Sequence, residues 1–213
     1  MQLSWYGQSC FKIESRDVTI AIDPFSKTIG LTPPRFRSDI LLMTHAHPDH
    51  ANTDALPGST FLIQGPGEYE VKGVSVTGIR TFHDNSDGAE RGLNTVYIIE
   101  VEDVKICHLG DFGEEKLREE TQNAIGDTDI LLIPVGGTYT IDGKAASGIV
   151  RAIEPRIVIP MHYKIPGLTI SLASADQFLK EMGMKNAEAI EKLVIRKKDL
   201  PETETRVLVL KPV

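Results

Sequence analysis

His45, His47, Asp49 and His50 fall within one six-residue run, His-Ala-His-Pro-Asp-His, directly after the apolar stretch Ile40-Leu-Leu-Met43. Half of the chain's six histidines are in it. Neutral imidazoles and a carboxylate are the donors that hold Zn²⁺, Mn²⁺ or Fe²⁺. Gathering four of them at the end of a buried strand costs stability unless a cation binds there, so the run reads as a metal-binding turn.

Other ligand-type residues recur at strand exits. His83 ends the run Val76-Thr-Gly-Ile-Arg-Thr-Phe82 and precedes a polar loop from Asp84 to Glu90. His162 ends Arg156-Ile-Val-Ile-Pro-Met161, and in Ile106-Cys-His-Leu-Gly-Asp111 an apolar strand delivers a carboxylate through a glycine that lets the backbone turn sharply. The loop after His83 has no apolar anchor, so proteolysis is expected there in the absence of metal.

The elements that must position these residues are mostly strands. Cys10–Ile13 and Val18–Ile22 read as a hairpin across Ser15-Arg-Asp17. Further strands are expected at Thr60–Ile63, Tyr69–Val71, Val74–Ile79 and Val96–Val101. Helices are expected at Glu114–Ile125, at Lys144–Ile153 behind an Asp142 cap, and at Ala175–Met182 with Ser174 and Gln177 as a capping box. Arg16-Asp-Val-Thr-Ile20 is echoed by Glu102-Asp-Val-Lys-Ile106, and Ser38-Asp-Ile-Leu-Leu-Met-Thr44 by Thr128-Asp-Ile-Leu-Leu-Ile-Pro134. Two echoes in the same order suggest an internal duplication, with two sheets face to face and helices on the outer layers.

Bulk properties restrict the partners. The 213 residues, 41% of them hydrophobic, suit a single domain over 1–213 with a substantial core. The net charge is −7, and basic residues concentrate only in Arg196-Lys-Lys198, which disfavours long nucleic acid. The N-terminus lacks the pattern of a signal peptide and no apolar run is long enough for a bilayer, so a cytoplasmic protein with no membrane contact is expected. Cys10 and Cys107 sit in apolar, strand-like surroundings and read as reduced, packed thiols.

The chain resembles the metallo-β-lactamase-fold superfamily, and within it the small stand-alone hydrolases of the lactonase-like branch. The resemblance rests on the His-x-His-x-Asp-His signature, Trp5-Tyr-Gly-Gln-Ser-Cys-Phe11, Ile22-Asp23-Pro24, Asn94-Thr-Val-Tyr97, His108-Leu-Gly-Asp111, Pro134-Val-Gly-Gly137 and Ile159-Pro-Met-His162. It implies an α/β fold, a four-layer αβ/βα sandwich with metals in a cleft at the sheet edges. It also implies that His45, His47 and His83 hold a first ion and Asp49, His50 and His162 a second, with Asp111 bridging. Asp23 would orient a ligand loop, and His108 would be a packed neighbour of Asp111. The pattern departs at Gln8, where many relatives carry His.

The expected function is therefore a di-metal hydrolase using two divalent ions, Zn²⁺ before Mn²⁺ or Fe²⁺. A hydroxide shared by the ions would attack a small, anionic ester, lactone or phosphodiester, with Asp49 orienting it and shuttling its proton. Tyr139, Thr140 and Lys164 could grip the substrate. The alternatives are a nuclease or cyclic-nucleotide phosphodiesterase, for which a basic rim would speak, and a non-catalytic metal-binding sensor.

Overall fold

The computed structural model describes residues 1–47, 50–56, 58, 60–184 and 187–213. The first sheet is built from β1 (Gln2–Gly7), β2 (Cys10–Glu14), β3 (Thr19–Ile22), β4 (Ile40–Met43) and β5 (Phe61–Gln64), in that spatial order. The second contains β6 (Gly67–Val71), β7 (Val74–Phe82), β8 (Leu93–Val101), β9 (Val104–His108), β10 (Ile130–Pro134) and β11 (Ile157–Met161), again in order. Late in the chain, β12 (Ala189–Ile190) pairs with β15 (Val209–Leu210), while β13 (Leu193–Val194) and β14 (Arg206–Val207) extend β1 and β11.

The burial patterns follow the pairing. β10 and β11 are parallel, wholly buried apolar runs, whereas antiparallel β7 alternates between core and outer positions. Trp5, Phe11 and Ile22 of one sheet and Tyr97, Ile99 and Ile106 of the other belong to one continuous apolar cluster, so the two sheets share a core. Tyr97 ties them beside the functional end, its hydroxyl donating to the Met43 carbonyl at 2.8 Å and accepting from Gly65 N–H at 3.0 Å. Cys10 and Cys107 are buried and unlinked, as expected.

The two halves repeat one another in connectivity and in detail. β1–β5 pair antiparallel, antiparallel, parallel, parallel, and β7–β11 do the same. Asp39 Oδ2 accepts from Thr19 N–H at 2.9 Å, and its counterpart Asp129 Oδ2 accepts from Lys105 N–H at 2.8 Å. Each aspartate's own N–H then returns to the carbonyl of that same residue, Thr19 or Lys105. An aspartate that clips the start of one parallel strand to the next is what the sequence echo records.

Helices develop unevenly. α1 (Glu119–Ile125) and α2 (Gly143–Ile153) serve the crossovers of the second sheet, and α3 (Asp176–Glu181) packs on α2, while the corresponding connections of the first sheet carry short 3₁₀ turns. Asp142 caps α2 as expected, accepting from Lys144 and Ala145 N–H at 3.0 and 2.8 Å. The expected helix from Glu114 begins only at Glu119. Glu114 is buried, accepts from Phe82 N–H at 3.3 Å and pairs with Arg118, which fastens this segment to β7 instead of letting it coil. Ser174 forms no capping box either, because the helix is capped at Ala175, one residue later, and the Ser174 hydroxyl turns to Asp176 Oδ2 at 2.8 Å. Among the described residues no helix is long and apolar enough to cross a membrane.

Candidate metal centre

Five strands deliver the expected residues to one end of the sandwich. β4 runs into His45, His47 and His50, β7 into His83, β9 through Leu109–Gly110 into Asp111, β11 into His162 and β3 into Asp23. Gly110 has φ +59°, and a Cβ there would lie 2.4 Å from Asn94 Oδ1 and 2.8 Å from Thr44 Cβ, so only glycine makes this turn. Gln8, Asp23 and His162 also hold left-handed backbone, with φ of 48°, 45° and 50°. Strain of this kind gathers where packing fixes a functional geometry.

Asp111 is the centre of the cluster. Its Oδ2 stands 3.2 Å from His162 Nε2, 3.3 Å from both His50 Nε2 and His83 Nε2, and 3.9 Å from His45 Nε2. Its Oδ1 accepts from Ser9 Oγ at 2.8 Å, and its N–H donates to Asn94 Oδ1 at 3.0 Å. Burial opposes the charge on Asp111, yet the imidazoles of His162 and His50 outweigh it and hold the carboxyl well below the usual range.

The rings fall into two groups. His45, His47 and His83 have mutually accessible ligand atoms, and so do His50, Asp111 and His162. A third grouping, Asp23 with His45 and His50, meets the same distance criterion. Both Asp23 oxygens are engaged, however: Thr44 N–H donates to Oδ1 at 2.8 Å and the Thr44 hydroxyl to Oδ2 at 2.6 Å. Having given its proton to Asp23, that hydroxyl must accept from His45 Nδ1–H, 2.9 Å away. This fixes the His45 tautomer and leaves the Nε2 lone pair facing Asp111. Burial, followed by the charge of His50, lowers the His45 pKa to about 3, so the ring is neutral.

These donors fit divalent cations. His45 Nε2 is buried and has no hydrogen-bond partner among the described residues. Two ligands on one ion with bonds of about 2.1 Å stand roughly 3.0–3.4 Å apart, the spacing of His50, His83 and His162 Nε2 from Asp111 Oδ2. One carboxylate oxygen cannot accept hydrogen bonds from four imidazoles, and the cluster is too buried to charge them all. His108 is different. Gly110 N–H donates to its Nδ1 at 3.0 Å, so its Nε2–H donates to the Ser9 carbonyl at 2.9 Å, and neither nitrogen is left for a metal.

The remaining expected residues divide. Asp49 lies outside the described residues. Tyr139 and Thr140 line a cavity of about 890 Å³ that reaches His83, but Lys164 is exposed and is not part of its wall. A second cavity, of about 430 Å³, opens over His45 and His47 and is lined by Arg80 and Arg91, with no acidic residue among its described walls. The loop after His83 is not the unanchored segment expected. Asp84 Oδ1 accepts from Ser86 and Gly88 N–H at 2.8 and 2.9 Å, and Oδ2 from Glu90 and Arg91 at 3.0 and 2.7 Å. Burial works against this charge, but the backbone donors prevail and hold the carboxyl down at about 2. Sequence reasoning also missed Ser9, Thr44 and Asn94, which fix Asp111 and His45. The only signal for them was their position inside the short motifs that flank the ligands.

Two facing sheets with histidines and carboxylates at the strand ends define a metallo-β-lactamase fold with a metal-binding cleft. The sequence profile of the beta-lactamase superfamily domain matches residues 2–162, and the chain belongs to that superfamily, among its metal-dependent hydrolases. A UPF0173 metal-dependent hydrolase of Thermococcus onnurineus is 32% identical, covering 89% of this chain and 95% of its own. One from Salinibacter ruber is 30% identical over 86% and 94%. Among solved structures, a proposed zinc-dependent hydrolase of the superfamily from Thermotoga maritima superposes with a TM-score of 0.80 at 34% identity, covering 99% of both chains. The metallo hydrolase Igni18 of Ignicoccus hospitalis shares the fold, with a TM-score of 0.67 at 21% identity and coverage of 92% and 99%.

Proposed function

We propose that this single-domain chain is a cytoplasmic di-metal hydrolase of a small anionic ester, lactone or phosphodiester. The observation that carries it is the ring of Nε2 atoms around Asp111 Oδ2, with those of His50, His83 and His162 at the spacing of ligands shared between ions and that of His45 at 3.9 Å. His45, His47 and His83 would hold one ion, Asp49, His50 and His162 the other, and Asp111 would bridge. Zn²⁺ suits the imidazole-rich first position, and the description of the Thermotoga maritima relative points to the same metal. Bound there, the ions would acidify water and polarise a carbonyl or phosphoryl oxygen.

The protein's own groups do the rest. Asp23, acting through Thr44, holds His45 in the tautomer that offers its lone pair. Ser9 occupies Asp111 Oδ1, which directs Oδ2 inward. Asp49 would orient the attacking water and take its proton. Arg80 and Arg91 beside His45 and His47 favour an anionic substrate, while Tyr139 and Thr140 line the larger cavity. The test is metal analysis of protein purified without chelator, followed by a panel of 4-nitrophenyl esters, phosphodiesters and lactones. Two ions per chain and turnover lost on chelation are expected. Saturation at one ion or none, or turnover indifferent to chelation, overturns the reading.

A further inference from the structure

Gln8 sits in the tight turn between β1 and β2, with left-handed backbone and no solvent exposure. Its carbonyl is fully used, accepting from Trp5 Nε1 at 2.9 Å and from His162 N–H at 3.1 Å. These bonds clamp the Gln8 backbone against the strand end that carries His162. Its side-chain amide is a different matter. One end lies 3.4 Å from His162 Nε2, and the other, assigned as Oε1, is buried without a hydrogen-bond partner among the described residues.

A buried amide oxygen left unsatisfied costs about 1–3 kcal/mol. The contact with His162 offers no lasting relief. Once Nε2 of His162 gives its lone pair to a cation, it has nothing to accept from an amide N–H. A half-turn about the terminal torsion exchanges the oxygen and nitrogen of a glutamine amide, and the surrounding hydrogen bonds decide which orientation is held. Turned, its oxygen occupies the position 3.4 Å from His162 Nε2, the separation of two donors on one ion at about 2.1 Å. That nitrogen in turn lies 3.2 Å from Asp111 Oδ2. The amide therefore lies beside the His162 and Asp111 end of the cluster.

We propose that Gln8 supplies a neutral oxygen ligand to the second ion, the one assigned to Asp49, His50 and His162. This rests on the two-ion reading above. Adding an amide oxygen to two carboxylates and two imidazoles raises the coordination number beyond four and hardens the donor set. Such a site gains most with Mn²⁺ or Fe²⁺ and least with Zn²⁺, which is content with four ligands.

The experiment is a metal titration of the full chain against a competing chelator, with Mn²⁺ and Zn²⁺ in parallel and electron paramagnetic resonance on the Mn²⁺ form. Q8L should lower the affinity for the second Mn²⁺ by about tenfold, lower that for the second Zn²⁺ less, and leave the first equivalent unchanged. Q8E, which keeps an oxygen and adds charge, should restore or tighten the second equivalent. Equal second-ion affinities in wild type and Q8L overturn the proposal. So does a parallel loss of both equivalents together with thermal stability, which would make Gln8 a packing residue. Wild-type protein that takes up fewer than two ions refutes the two-ion reading itself, whatever the variants do.

Discussion

Thr44→Val isolates the hydroxyl that links Asp23 to His45. The replacement keeps the shape and the backbone N–H bond to Asp23 Oδ1, and removes only the 2.6 Å bond to Oδ2 and the 2.9 Å acceptor for His45 Nδ1. Asp23 is wholly buried, so among the described residues Oδ2 would keep only His50 Nδ1, 3.6 Å away. A hydrogen bond to a charged group contributes roughly 1.5–3 kcal/mol, which sets the expected loss of folding stability in the metal-free protein. His45 would also lose the contact that fixes its tautomer. Loss of such an outer contact weakens metal binding by about 10–100-fold, or roughly 1.4–2.7 kcal/mol. Denaturant unfolding gives the first quantity and chelator competition with Zn²⁺ the second. Thr44→Ser should restore both. If Thr44→Val leaves Zn²⁺ affinity unchanged while stability falls, the hydroxyl supports the fold alone and the assigned role of Asp23 is wrong.

Asp111→Asn should abolish metal-dependent turnover and reduce bound metal to one ion or fewer with the fold retained by circular dichroism. His108→Ala should instead cost stability, about 1–3 kcal/mol from the two bonds it leaves unmade, with two ions still bound. Asp84→Ala should speed proteolysis between residues 85 and 91 several-fold, followed by mass spectrometry of the fragments. The folded carboxyl lies at about 2, below its ordinary value of 3.8, so its ordering of the loop is complete above pH 4 and is lost as pH falls toward 2; cleavage by an acid protease should rise across that window. Gly110→Ala must adopt positive φ and place a methyl against Asn94 and Thr44, so a loss of roughly 1–3 kcal/mol is expected in thermal unfolding. Unchanged stability would mean that Asn94 can move away.

The histidine-rich turn was legible because it is local. Three histidines and a carboxylate in six residues declare their chemistry without a fold around them, and His83, Asp111 and His162 announce themselves as polar ends of apolar runs. The duplication was legible for a similar reason: Asp39 and Asp129 perform the same clip on the same kind of strand, so the residues around them echo. Tertiary structure alone decided how separate strand ends converge on Asp111 Oδ2. It made His108 a spent hydrogen-bonding group, drew Tyr139 and Thr140 into the cavity beside His83, and left Lys164 outside. It also turned two local expectations around. Glu114 has the acidic character of a helix start, but its bonds to Phe82 and Arg118 outweigh propensity; the loop after His83 lacks apolar residues, but one buried carboxylate binds four of its N–H groups. The physical reason is common to all of these. Residue type fixes which bonds a group can make, while distances between atoms far apart in the chain, set by how the two sheets stack, fix which bonds it does make.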